Sequence, residues 1–98
     1  MFEIKQHSQF SQWFNAIDDK KTKAILAARI ERLKLGLFGD VEPVGESVSE
    51  LRIHVGAGWR IYFIRHGDKI IVLLGGGTKR TQKNDIKAAK KLANELLE

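Results

Sequence analysis

The period of the apolar positions changes several times along the chain. In the opening "FEIKQH", Phe2 and Ile4 alternate with polar neighbours, which predicts a short, half-buried strand. After Ser8, placed to cap a helix, Phe10, Trp13, Phe14 and Ile17 recur at i, i+3, i+4 and i+7 and so share one helical face. Asp18 and Asp19 interrupt the pattern and offer a second cap. In "KKTKAILAARIERLKLG", Leu26, Ile30, Leu33 and Leu37 then fall in helical register, with Gly36 near the stop. Two amphipathic helices with so short a break predict a helical hairpin, and its apolar stripes need a sheet to cover.

"GLFGDVEPVGES", residues 36–47, holds three glycines and the single proline and reads as a loop dividing a helical half from a β half. Beyond it, Leu51, Ile53 and Val55 alternate with Glu50, Arg52 and His54. "GAG" at 56–58 turns the chain into "WRIYFIRH", where Trp59, Ile61 and Phe63 face one way and Arg60, Tyr62 and Ile64 the other. Gly67-Asp68 suits a two-residue hairpin loop. "KIIVLLGGG" shows no alternation, as expected of a strand covered on both faces. A last helix sets Ile86, Ala89, Ala93 and Leu96 in register, with Lys83, Lys87, Lys90 and Lys91 mostly off that stripe. The order β-α-α-β-β-β-α predicts one α+β domain over residues 1–98: a small, mainly antiparallel sheet with the hairpin on one face and a basic concave surface on the other.

Charge sharpens this picture because it is lopsided. Residues 1–50 carry 7 Lys/Arg against 8 Asp/Glu, whereas residues 51–98 carry 10 against 4, so the net +5 belongs to the β half and the last helix. Such a field favours anionic partners without choosing among nucleic acid, an acidic protein and a membrane surface. No apolar run is long enough to span a bilayer and the start lacks the pattern of a signal peptide, so a cytoplasmic protein without membrane association is expected. With no cysteine there is no disulfide framework or thiolate zinc site. His7, His54 and His66 have no metal-ligand spacing, and neither a metal nor a cofactor is expected.

The run "LLGGGTKRTQKNDI", residues 73–86, looks at first like a phosphate loop. Its spacing is wrong, because Gly77 is followed by Thr78, and Lys79 by Arg80 rather than Ser or Thr. The glycines can serve a sharp turn or a close approach where a strand hands over to a helix, and backbone contact with a ligand stays open. Arg52, His54, Arg60 and Tyr62 are expected on one sheet face, with Lys79 and Arg80 approaching from the strand exit. Guanidinium forks suit phosphate oxygens, and Tyr62 could stack on a base. Structural roles are the competing reading: Arg52 pairing with Glu50 or another carboxylate, and Tyr62 in packing.

The Glu-Leu-Arg strand, the Gly-x-Gly-aromatic-Arg-x-Tyr strand, the Gly-Asp turn and the aliphatic strand ending in glycines before Lys-x-x-Gln-x-x-Asp-Ile occur in fixed order over about residues 40–93. This stretch resembles the RelE/ParE superfamily of type II toxin–antitoxin toxins, in its HigB-like "addiction module killer protein" branch. The resemblance implies a compact toxin in a hetero-oligomer with a cognate antitoxin, expected as a small helix-turn-helix protein from the adjacent gene. It also implies metal-independent cleavage of mRNA on the ribosome. Carried onto matching positions, Arg52 and Arg60 would clamp the phosphate, and Lys79 and Arg80 would hold RNA or supply a proton. Thr81 and Lys83 extend that RNA-binding set, Tyr62 is its expected stacking residue, and His54 is the candidate base from its titration range and its face. Nuclease members bring a Tyr or His to the site from near the C-terminus, and "KKLANELLE" has neither. The ParE-like alternative, a toxin that inhibits DNA gyrase by binding alone, therefore stands beside the nuclease reading.

Overall fold

The computed structural model describes residues 1–97. Five strands, β1 (Glu3–Gln6), β2 (Val41–Gly45), β3 (Val48–Ile53), β4 (Trp59–His66) and β5 (Ile70–Thr78), form one sheet in the order β1-β5-β4-β3-β2. β1 runs parallel to β5 and every other pair is antiparallel. The helices are α1 (Ser8–Asn15), α2 (Lys20–Lys34) and α3 (Gln82–Leu97), the last preceded by a 3-10 turn at Lys79–Thr81.

Alternation along the strands divides the interior in two. Leu51, Ile53, Ile61, Phe63, Ile71 and Leu73 face the hairpin and meet Phe10, Leu26 and Leu33, with Trp13, Phe14 and Trp59 packed around them. On the opposite face Val48, Tyr62, Ile64 and Leu74 meet Ala89, Leu92 and Ala93 of α3. β5 contributes to both layers, which explains its unbroken aliphatic run. The face expected to lie open is therefore largely roofed by α3.

Other local differences have simple causes. Residues 41–45 are a strand rather than loop; Pro43 is tolerated because β2 is an edge, where a missing N–H costs no ladder bond on the open side. His7, not Ser8, caps α1, its Nδ1 accepting from the Gln9 amide at 3.0 Å. Asp19 caps α2 as expected, taking the Lys21 amide at 3.0 Å and the Thr22 hydroxyl at 2.9 Å, and these bonds hold its carboxyl below the usual range. α2 ends at Lys34, so Leu37 falls outside it and stays exposed. The β4–β5 loop takes three residues, since His66 pairs with Ile70, and Gly67 supplies its positive φ. β5 does not stop at its glycines but runs paired with β4 through Thr78.

Candidate nucleic-acid interface

The register brings the arginines together as alternation predicts. Arg52 on β3 lies opposite Arg60 on β4, which lies opposite Gly77 on β5; the adjoining row is Glu50, Tyr62 and Gly75. Two guanidinium groups on neighbouring strands repel. Glu50 answers that repulsion. Its carboxylate is fully buried and accepts from Arg52 Nε at 2.9 Å, Gln82 Nε2 at 2.8 Å and Tyr62 Oη at 3.2 Å, and Arg60 Nε lies 3.8 Å away. Burial alone would raise the Glu50 pKa, but the bonds from Arg52, Gln82 and Tyr62 outweigh it and hold the carboxyl below its ordinary value. The same bond raises the pKa of Arg52. Sequence reasoning placed Glu50 on the charged face and offered it as Arg52's partner in the competing, structural reading, and that pair is present; its contacts with Arg60, Tyr62 and Gln82 were not anticipated. Its place between Arg52 on its own strand and Arg60 on the next was the signal available.

The two arginines differ in how much donor capacity they keep. Arg52 spends Nε on Glu50 and Nη2 on Glu42 at 3.4 Å. Arg60 gives Nη1 to the Gly58 carbonyl at 2.6 Å, and its buried Nε has no hydrogen-bond partner among the described residues. Its side chain is 11% exposed, so the guanidinium is held among protein atoms at the mouth of the sheet rather than free in solvent. Gly58 is the pivot of this corner. At φ 75° it adopts the left-handed conformation that glycine allows, and a Cβ there would lie 2.9 Å from Arg60 Nη1 and 3.3 Å from Lys79 Cβ. The Lys79 amide also donates to Ala57 at 3.4 Å, tying the strand exit to the "GAG" turn. Arg60 and Lys79 thus flank one glycine, while exposed Arg80 and Lys83 extend the positive rim; none of these last three forms an ion pair among the described residues.

Three expected members take other positions. Tyr62 is fully buried beneath α3, and burial followed by the Glu50 charge raises its pKa, so it offers neither a face to a base nor an ionisable hydroxyl. This corrects its expected stacking role; the packing alternative describes it. His54 lies beyond the end of β3, not on the strand, and its Nε2 bonds Asp40. A carboxylate only accepts, so Nε2 donates, and Nδ1 has no partner among the described residues; the same contact holds Asp40 below the usual carboxylate range. Thr81 turns its hydroxyl to Asp85 and to the Thr78 backbone, which locks the 3-10 turn to the start of α3.

The glycine run serves close approach, not a turn. A side chain at Gly76 would enter the Trp13 ring, and one at Gly77 would enter the Asp85 carboxylate and Thr81 hydroxyl, whereas Gly75 faces open space. The absent side chains let α1 and the α3 entry close onto the sheet from opposite faces. Among the described residues no three His, Asp or Glu side chains gather closely enough to hold a metal ion. Among the described residues, too, no helix is long and apolar enough to cross a membrane.

A protein of Haemophilus influenzae named as uncharacterized is 43% identical over 94 residues, covering 96% of this chain and 95% of the relative. The family model "Phage derived protein Gp49-like (DUF891)" matches residues 12–98, which takes in the end of α1, α2, the antiparallel strands β2 to β5 and the basic corner. The chain belongs to the phage-derived Gp49-like family.

Proposed function

We propose that this protein is the toxin of a toxin–antitoxin pair and that its basic corner cuts RNA. Two things support the toxin reading: membership of the Gp49-like family and the motif order shared with HigB-like toxins of the RelE/ParE superfamily. The observation that carries the chemistry is the Glu50-anchored arginine pair beside Lys79, which forms no ion pair among the described residues. Cleavage without a metal uses the RNA 2′-hydroxyl as nucleophile. Its oxygen forms a bond to the adjacent phosphorus, the bond to the 5′ oxygen breaks, and a 2′,3′-cyclic phosphate and a 5′-hydroxyl result. Arg60, with donor capacity in reserve, meets the phosphate oxygens as charge builds on them. Lys79 neutralises that charge or supplies the proton the leaving 5′ oxygen needs. His54, oriented by Asp40 and two residues beyond Arg52, accepts the proton of the 2′-hydroxyl through Nδ1. Arg52, already engaged with Glu50 and Glu42, sets the position of the corner more than it binds substrate.

The substrate of this reading is mRNA on the ribosome, and the silencing partner is a helix-turn-helix protein encoded beside the toxin. Inducing the gene in a bacterial host and mapping transcript 5′ ends tests it: codon-linked ends should accumulate as growth stops. Arg60→Ala should fold normally and lose about 10²–10³-fold in cleavage rate, the usual effect of removing a contact to developing charge. Growth arrest with no new 5′ ends, or full toxicity of a folded Arg60→Ala protein, overturns the cleavage mechanism. Harmless overexpression overturns the toxin reading itself.

A further inference from the structure

On the other side of the same strand ends lies an open groove of about 490 Å³ that the cleavage reading leaves unused. Its walls include both tryptophans of the chain, Trp13 and Trp59, with ring centroids 6.1 Å apart, together with Ile17, Asp18, Thr78 and Thr81. Both rings are half-buried, whereas Phe10, Phe63 and Tyr62 are enclosed in the core. Trp59 and Thr78 are cross-strand partners at the very end of the β4–β5 ladder. The next residue on β4 is Arg60 and the next after β5 is Lys79, so an aromatic wall and a cationic rim adjoin around one strand end. The acidic residues of the groove are divided in their duties. Asp19 spends both oxygens capping α2, while Asp18 has no hydrogen bond or ion pair among the described residues.

We propose that this groove is a nucleobase subsite, selective for guanine, that seats a base next to the phosphate held by Arg60 and Lys79. The inference rests on the RNA-cutting reading and adds its specificity. A nucleotide places its base one sugar away from its phosphate, and here the aromatic wall and the cation lie on opposite faces of one strand end, so the sugar crosses that end between them. Trp59 supplies a stacking face that accepts any base. Asp18 supplies the choice, because a carboxylate accepts two parallel hydrogen bonds and guanine's N1–H and N2–H present two donors side by side. Uracil offers one donor between two carbonyl oxygens and meets the carboxylate with repulsion. Negative charge at Asp18 and Asp19 also rejects a phosphate from the groove, so the strand can lie in one direction only.

Cleavage-resistant 2′-O-methyl trinucleotides of guanine and of uracil, titrated into the full-length protein and followed by tryptophan fluorescence, test the assignment. The guanine oligonucleotide should quench emission and bind about tenfold more tightly than the uracil one. Trp59→Leu should weaken guanine binding about tenfold and Trp59→Phe much less, both with thermal melts confirming the fold. Asp18→Asn should bring the two oligonucleotides to within about threefold of each other. A folded Trp59→Leu protein that binds as wild type, or a guanine preference that survives Asp18→Asn, overturns the subsite. If binding depends on Arg60 and Lys79 but not on Trp59, the subsite falls and the RNA reading stands. If neither oligonucleotide binds at low salt, the subsite falls, and the transcript 5′ ends alone decide the RNA reading. Protection of Trp59 by a partner protein, with no quenching by either oligonucleotide, reassigns the groove to a protein anchor and likewise overturns the proposal.

Discussion

Replacing Glu50 by Gln keeps the shape of the side chain and removes the charge on which the candidate site is organised. Three donors converge on its carboxylate, from Arg52, Tyr62 and Gln82, and a fourth, on Arg60, lies within 4 Å. An amide carries its own N–H donors on one side, so at least one of the bonds on that side becomes a donor–donor contact. Arg52 and Arg60 are then left facing each other across adjacent strands without a counter-charge. Removing one partner of a buried ion pair typically costs ~3–5 kcal/mol. For a domain of this size that is a large share of a total of roughly 5–15 kcal/mol. At roughly 4–8 °C per kcal/mol, the low ends of both ranges give a fall in Tm of about 12 °C.

The pH dependence separates this account from a simple packing defect. Glu50's folded pKa is below its unfolded value, so its stabilisation is complete above the unfolded pKa of about 4.3 and fades as pH falls through the lower, folded value. Wild type and Glu50→Gln should therefore differ most near neutral pH and converge in acid. Urea denaturation of both proteins at pH 7, and in steps down to about pH 3, measures the gap. A difference under about 1 kcal/mol at pH 7, or one constant across the range, would refute the idea that charge at Glu50 holds the corner together.

Tyr62→Phe removes one neutral donor from the same carboxylate and should cost about 1 kcal/mol in urea denaturation while leaving RNA cleavage within about twofold, since the ring is enclosed. Gly75→Ala should be neutral or mildly stabilising, by ~0.4–1 kcal/mol, because its Cβ would meet nothing. Gly76→Ala should cost ~1–3 kcal/mol by displacing the Trp13 ring, with a shift in tryptophan emission as a second readout. Equal melting temperatures for the two glycine variants would show that close approach is not why the run exists.

The strands other than β2, which read as a loop, and the three helical stripes were legible in the sequence because burial on a pleated sheet imposes alternation and burial on a helix imposes its own period. That rule even assigned faces: Arg52 and Arg60 stand side by side, and β5, which alternates nowhere, is covered twice. What the pattern does not carry is which helix covers which face. α3 is amphipathic in either case, but only its docking over Val48, Tyr62 and Ile64 decides that Tyr62 is core and that the open basic surface shrinks to one corner. The same gap hid most of what Glu50 does. Pairing with Arg52 on its own strand was foreseen, but a glutamate on a strand facing solvent needs no more than that, and the same residue under a helix is a buried charge with several donors aimed at it.

The glycine run joins these two layers. Because Gly77 sits opposite Arg60 and lacks a side chain, Asp85 and Thr81 can pack against the strand there; because Gly76 lacks one on the opposite face, Trp13 can do the same. The first contact fixes the turn that carries Lys79 and Arg80, and the second fixes one wall of the tryptophan groove. A single stretch of backbone thus sets the spacing between the cationic rim and the aromatic groove. If the corner cuts RNA and the groove reads a base, then enlarging Gly76 should disturb base preference before it disturbs cleavage, whereas enlarging Gly77, which lines the groove and packs against the turn that carries Lys79, should disturb both together. That difference follows from what each glycine packs against, and it can be checked by sequencing the ends that each variant produces.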